Sequence, residues 1–241
     1  MNLAIVGYGK MGRLIEQLAP EHGFEVRLKL DEFNNAQFEG VTRENFQGVD
    51  VAIDFSIPSV VADNVERIAA LGVNMVVGTT GWSAQAERVK AAVANSGIGL
   101  VWSPNYSIGV NVFFRLVSEA ARLLNDEPSY GAWGWEIHHS TKKDAPSGTL
   151  LKLVEEMQQA GYSRPIDVSS SRAGAHPGTH EIGFDSAADT ITLRHTTRSR
   201  DGLARGALKA AQWVVGKQGF FEFREVLFGG GTCLPDAARR S

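Results

Sequence analysis

Short apolar runs alternate with amphipathic stretches through the first hundred or so residues. Residues 3–6 (Leu-Ala-Ile-Val) form an unbroken apolar run that stops at Gly7. A short run with no polar positions predicts a strand buried on both faces. Residues 13–19 place Leu14, Ile15 and Leu18 at helical spacing, and Pro20 and Gly23 close that helix. Further strands are predicted at 24–30, 49–55, 73–77 and 99–102. Helices are predicted between them at 59–71, capped by Ser59, and at 83–95. Strand alternating with helix predicts a parallel sheet with right-handed crossovers.

After a helix at 112–124 the pattern changes. Residues 130–139, 166–172, 180–185 and 190–198 read as strands, interrupted by one helix at 149–159. Strands that follow one another without helices predict a mixed or antiparallel sheet. A last helix is expected at about 203–215, and the aromatic tail 219–228 is expected to return to the first domain. The expected domains are 1–109 with about 212–241, and 110–211, with closure about residues 107–111.

Composition narrows the function. The 241 residues are 43% hydrophobic and 21% charged, ordinary values for a globular chain. A net charge of -3 lacks the basic excess of a nucleic-acid binder, so no such partner is expected. No apolar run reaches the roughly 18 residues of a membrane helix. The single cysteine, Cys233, has no internal disulfide partner, which suits a reducing compartment. No basic segment precedes the first strand, so no secretory leader is expected and the protein reads as cytoplasmic.

Gly7-Tyr8-Gly9-Lys10-Met11-Gly12 spells G-x-G-x-x-G between a predicted strand and a predicted helix. In that context the motif points to dinucleotide binding and a Rossmann-like first domain. The first glycine permits the turn, the second lets the backbone approach a pyrophosphate, and the third lets helix and strand pack closely. Asp31 ends the second strand ~20 residues on, where a carboxylate accepts from the ribose hydroxyls. Glu32 follows with no adjacent arginine, so NADH is the preferred cofactor and NADPH a possible one. Phe55, Gly78-Thr79-Thr80-Gly81 and Ser103-Pro104-Asn105-Tyr106 lie at later strand ends, where a nicotinamide could sit. Ordinary turn chemistry is the alternative there.

The tract Glu136-Ile137-His138-His139-Ser140-Thr141-Lys142-Lys143-Asp144-Ala145-Pro146-Ser147-Gly148-Thr149 carries the densest chemistry. Neighbouring strand residues face opposite ways, so His138 and His139 are expected to take different roles. No cysteine pair or H-x-x-x-H supports a zinc site, and no metal is expected. A histidine can deliver a proton, and Lys142 can bind an anion and also donate. Helix-opening amides at Ser147, Gly148 and Thr149 can receive a carboxylate. Lys143, His22 and Lys90 read as surface residues. His176, His180 and His195 stay ambiguous, and the glycine-rich turn 172–180 reads as structural.

With these motifs the sequence resembles the 4-hydroxy-tetrahydrodipicolinate reductase (dihydrodipicolinate reductase) family of diaminopimelate and lysine biosynthesis. The resemblance also rests on Asp54-Phe55-Ser56, on Pro104-Asn105-Tyr106-Ser107-Ile108-Gly109-Val110-Asn111, on Arg172-Ala173-Gly174 with Gly178-Thr179-His180, and on Arg205-Gly206-Ala207 leading to Ala211-Gln212-Trp213. It implies reduction of a cyclic unsaturated imine dicarboxylate by a nicotinamide cofactor. It also implies His138 as proton donor with Lys142, and His139, Gly148 and Thr149 as substrate contacts. Gly7 to Gly12, Asp31, Gly78 to Thr80 and Ser103 to Tyr106 become nucleotide contacts. The second domain is implied to bind substrate and to assemble a homotetramer. The segments between Asp31 and Val49, and between the 149–159 helix and Ile166, are short for the family. Another two-domain nicotinamide dehydrogenase and a non-catalytic NAD sensor remain alternatives.

Overall fold

In the computed structural model, which describes residues 1–229, the chain divides into two compact units. The first is Met1–Tyr106 with the described residues from Leu203, and the second is Ser107–Gly202. Cys233 and the end of the expected first domain lie outside the described residues.

The first unit is built on a six-stranded sheet, every pairing parallel. Its strands are β1 (Asn2–Val6), β2 (Glu25–Leu30), β3 (Val51–Asp54), β4 (Asn74–Val77), β5 (Gly99–Trp102) and, from the tail, β10 (Gly219–Glu222), in the order β10-β5-β4-β3-β1-β2. Alternation explains why the β1 run is apolar throughout. Ala4 and Val6 pack with Val61, Val65 and Val89 of α2 (Val61–Ala70) and α3 (Ala86–Ser96). Leu3 and Ile5 face the other way, onto Ile15 of α1 (Lys10–Leu18) and Ala207 of α6 (Asp201–Val214). This is a Rossmann-like domain with a crevice where the strand order reverses beside β1.

Several details depart from the sequence reading. The return to the first unit comes at Leu203 rather than near residue 212, because α6 buries Ala204, Ala207, Leu208, Ala211 and Val214 against that unit's core. Ser59 does not cap α2 by its side chain. It sits inside a 3-10 turn, Pro58–Val60, which leads into the helix. A similar turn, Ser83–Gln85, precedes α3.

The second unit holds a four-stranded mixed sheet, order β7-β6-β8-β9, of β6 (Gly131–His138), β7 (Ile166–Arg172), β8 (Thr179–Asp185) and β9 (Thr190–Thr196). The β6–β7 pair is parallel, and β8 runs antiparallel to both β6 and β9. One face packs on α4 (Ile108–Leu124) and α5 (Gly148–Gln159), where Ala132, Ile182 and Phe184 meet Val117, Leu150 and Met157. Toward the end of β6 that face turns polar. The register sets Ser170, Glu136, His180 and His195 in one row across all the strands, with Arg172 beside His138 in the next.

Candidate active site

In the first unit a cavity of about 590 Å³ opens at the carboxyl ends of β1, β2 and β3. Gly7, Tyr8, Gly9, Lys10, Asp31 and Phe55 line it, together with Arg13 and Glu32. Gly7 has φ +87°, and a Cβ there would lie 2.4 Å from the Phe55 carbonyl oxygen. A Cβ on Gly12 would lie 2.7 Å from the Gly7 carbonyl oxygen, whereas one on Gly9 would meet nothing within 4 Å. Two glycines are thus needed for packing, and the third leaves open space where a pyrophosphate needs close approach. The residues present fit a dinucleotide.

Asp31 follows directly on β2. Its Oδ1 accepts the amides of Phe33 (2.9 Å) and Asn34 (3.3 Å), which fixes the carboxylate at the cavity wall. Asp54, fully buried, ties three cavity segments together. It accepts from the Ser56 amide (2.8 Å) and hydroxyl (2.7 Å), from Asn64 Nδ2 (2.9 Å) and from Thr79 Oγ1 (3.0 Å). Burial pushes its carboxyl above the ordinary value while these donors pull it down.

Thr79, Thr80 and Pro104 line a separate cavity of about 310 Å³ with Trp82, Trp102 and Phe220. Gly78 is held against the Phe55 ring, only 2.2 Å from where its Cβ would be. Ser103 Oγ donates to the Asn105 carbonyl at 2.8 Å. The Tyr106 side chain is turned inward: its hydroxyl lies 3.0 and 2.9 Å from the carbonyl oxygens of Val77 and Val101, so only its backbone is left to face a ligand. Met11 packs against the core and Gly12 is buried.

In the second unit the chemistry gathers at the polar end of the sheet. Glu136 is fully buried, and its Oε1 accepts from the Ser147 amide (2.9 Å), Ser170 Oγ (2.9 Å) and Arg172 Nη2 (3.0 Å). Its Oε2 lies 3.3 Å from His180 Nε2 and 3.6 Å from His138 Nδ1. His180 Nε2 is also 3.1 Å from Ser147 Oγ. Ser147 caps α5 by accepting the Leu150 amide, so that helix opens beside the carboxylate. Lys142 Nζ grips Asp144 at 2.7 and 2.9 Å. His139 lies beyond the strand end, with Nδ1 2.7 Å from Thr141 Oγ1. Gly148 and Thr149 form the first turn of α5.

Burial pushes the His138 imidazole below its ordinary pKa; Glu136 opposes the shift, while Lys142 and Arg172 add to it. His180 is pushed down to about 4, by burial first and then by His138. Burial alone would raise the Glu136 carboxyl, but the donors on it, Ser147 and Arg172 among them, hold it below the usual range.

The sequence reading put His180 at the start of the 180–185 strand, where the glycine-rich turn ends, and left its role open. It stands on β8, buried and aimed at Glu136, because pairing with β6 carries it into the polar row. Glu136 was legible only as the start of the histidine tract. Its spacing from His138 puts both side chains on one face of β6, and that two-residue spacing was the available signal. Among the described residues, Glu136, His138 and His180 form a group with metal-ligand spacing, their ligand atoms within 4.8 Å of one another.

Family models described as dihydrodipicolinate reductase, N-terminus, and dihydrodipicolinate reductase, C-terminus, match residues 1–106 and 109–227. The chain is 32% identical over 238 residues to the 4-hydroxy-tetrahydrodipicolinate reductase of Christiangramia forsetii, covering 94% of this chain and 98% of that one. It is 40% identical over 195 residues to the enzyme of the same name from Methanoregula boonei, covering 74% of each. The dipicolinate-bound dihydrodipicolinate reductase of Paenisporosarcina sp. TG-14 shares the fold, with TM-score 0.77 at 21% identity over 92% of this chain and 97% of that one. The chain belongs to the dihydrodipicolinate reductase family, and with it to the nicotinamide-dependent oxidoreductases of lysine and diaminopimelate biosynthesis.

Proposed function

We propose that the chain reduces 4-hydroxy-tetrahydrodipicolinate, by way of dihydrodipicolinate, to tetrahydrodipicolinate, with His138 as proton donor. The observation that carries this reading is the placement of His138 in the second unit. It is buried beside a carboxylate, with Lys142 and the opening amides of α5 in the same tract. The first unit holds the cofactor through Gly7, Gly9, Gly12 and Asp31. A bound nicotinamide supplies a hydride. Lys142, His139 and the backbone of Ser147, Gly148 and Thr149 receive the substrate carboxylates. Hydride addition to the conjugated ring leaves electron density, and Nε2–H of His138 neutralises it. Substrate carboxylates also offset the cations that hold the His138 pKa down, so the imidazolium gains ground when substrate binds.

Asp31 beside Glu32 opposes a 2′-phosphate, which favours NADH. Arg13 and Lys10 line the same cavity and leave NADPH usable. The protein works in the cytoplasm as a homotetramer. Support for assembly comes from the sheet face away from α4 and α5, where Trp133 and Trp135 remain half-buried.

The test is a coupled assay in which the preceding synthase makes the unstable substrate in situ. Cofactor oxidation that depends on substrate, faster with NADH than with NADPH, is expected. His138→Gln is expected to lower turnover about 100-fold or more. Unchanged turnover in that variant would remove His138 from the mechanism. NADH binding without oxidation would point to another substrate.

A further inference from the structure

We propose that Glu136 is the positioning residue of His138: one carboxylate oxygen fixes the imidazole in its Nδ1–H form, and the other ties it to the start of α5. The proposal rests on the reading of His138 as proton donor. Glu136 sits two residues before His138 on β6, so both point to the same face. Its two oxygens divide the work. Oε1 takes three donors, the Ser147 amide, Ser170 Oγ and Arg172 Nη2, at 2.9 to 3.0 Å. That fixes the carboxylate plane and couples it to the residue that caps α5. Oε2 is buried with no hydrogen-bond partner, and it faces His138 Nδ1 at 3.6 Å and His180 Nε2 at 3.3 Å.

A carboxylate oxygen only accepts, so the nitrogens facing it carry the protons. His138 then has Nδ1–H on Glu136 and its other nitrogen, Nε2, free for chemistry. A gap of 3.6 Å needs to close by only a few tenths of an ångström, as catalytic contacts do when substrate binds. Gly178 supplies an independent sign that Nε2 is the working edge. A Cβ at Gly178 would stand 3.0 Å from both Nε2 and Cδ2 of His138, so the absent side chain keeps that edge clear. His180 stays neutral above pH about 4 and leaves the carboxylate's charge to favour the His138 imidazolium. The groups facing His138 are Glu136 on its own strand, Arg172 on β7, His180 on β8, and Lys142 and Asp144 from the loop before α5. Glu136 is the buried anion among them.

The experiment compares wild type with Glu136→Gln by the pH profile of kcat under saturating NADH. A proton donor loses activity as the pH rises through its pKa. Without the carboxylate that fall should move about one pH unit lower. The wild-type-to-variant rate ratio should then reach about tenfold on the alkaline limb of the profile and approach one on its acid side. Equal loss at every pH would overturn the proposal, since a merely structural role gives that pattern. If the variant does not fold, ¹⁵N NMR of wild-type histidines decides. Neutral His138 as the Nδ1–H tautomer supports the proposal, and the Nε2–H tautomer overturns it. Stoichiometric metal in the isolated protein, with activity lost on chelation, would also overturn it, because the same atoms would then be ligands. His138→Gln separates the two readings. Full activity there defeats the proton-donor role whatever the tautomer, whereas a dead His138→Gln with an unshifted Glu136→Gln profile defeats positioning alone.

Discussion

Asp144 occupies groups that the proposed function gives to the substrate. Its carboxylate holds Lys142 Nζ at 2.7 and 2.9 Å, and the Gly148 amide at the start of α5 also draws on it. Those are the groups assigned here to a substrate carboxylate. The Asp144 side chain is 58% exposed, so the pair adds little to stability and can part readily. A dicarboxylate bound through those groups, as proposed, would have to displace it, and the displacement would cost affinity. Asp144→Asn is therefore expected to bind a planar dicarboxylate such as dipicolinate more tightly, by about fivefold, equivalent to ~1 kcal/mol. Titration calorimetry on the two proteins measures this directly. Weaker binding in the variant would mean that Asp144 instead holds Lys142 in its productive position.

At the scale of elements, one contact in the first unit allows no side chain. A Cβ on Gly206 of α6 would come within 1.7 Å of the Tyr106 carbonyl oxygen. The glycine lets α6 lie directly on the chain leaving β5, where the Tyr106 ring packs on Phe223 with centroids 4.9 Å apart. Gly206→Ala must push helix and loop apart. Its alanine gains some helix propensity, but overpacking costs about 1–3 kcal/mol. A lower thermal midpoint is the expected outcome, and an unchanged or raised one would show that α6 shifts without cost. Elements of this kind were largely readable in the sequence. The runs at Leu3, Val51 and Met75 are apolar on both faces because helices cover both sides, and that leaves a local mark. The G-x-G-x-x-G turn likewise follows from local backbone needs. What the sequence hid depends on register. Nothing local says that His180 will stand opposite Glu136, because that pairing is set when β8 docks on β6. Nor does Tyr106 announce that its hydroxyl will face inward onto two carbonyls.

For the whole molecule, the buried histidines make stability depend on pH. His180 titrates near 4 in the folded chain against an ordinary 6.5, because burial disfavours its charged form. Burial also lowers His138 and His195, so three neighbours on one sheet face share the sign. An unfolded chain takes up protons on these rings as the pH drops below about 6.5, while the folded chain refuses them. The unfolded state then binds more protons, so stability rises with pH across that window and is lost as pH falls through it. His180 alone accounts for about 3 kcal/mol between pH 6.5 and 4. Glu136, lowered by its donors, adds a further loss below the ordinary carboxylate range, again toward acid. Because a domain of this size shifts by about 2–4 °C per kcal/mol, the melting temperature should fall several degrees from pH 7 to pH 5. His180→Gln cannot be protonated in either state, so its curve should be flatter over the same range even if its midpoint at pH 7 is lower. Differential scanning calorimetry at a series of pH values checks both statements. A wild-type midpoint that stays level down to pH 5 would mean that the polar row admits protons without unfolding, and the acid lability would then have to come from the carboxylates instead.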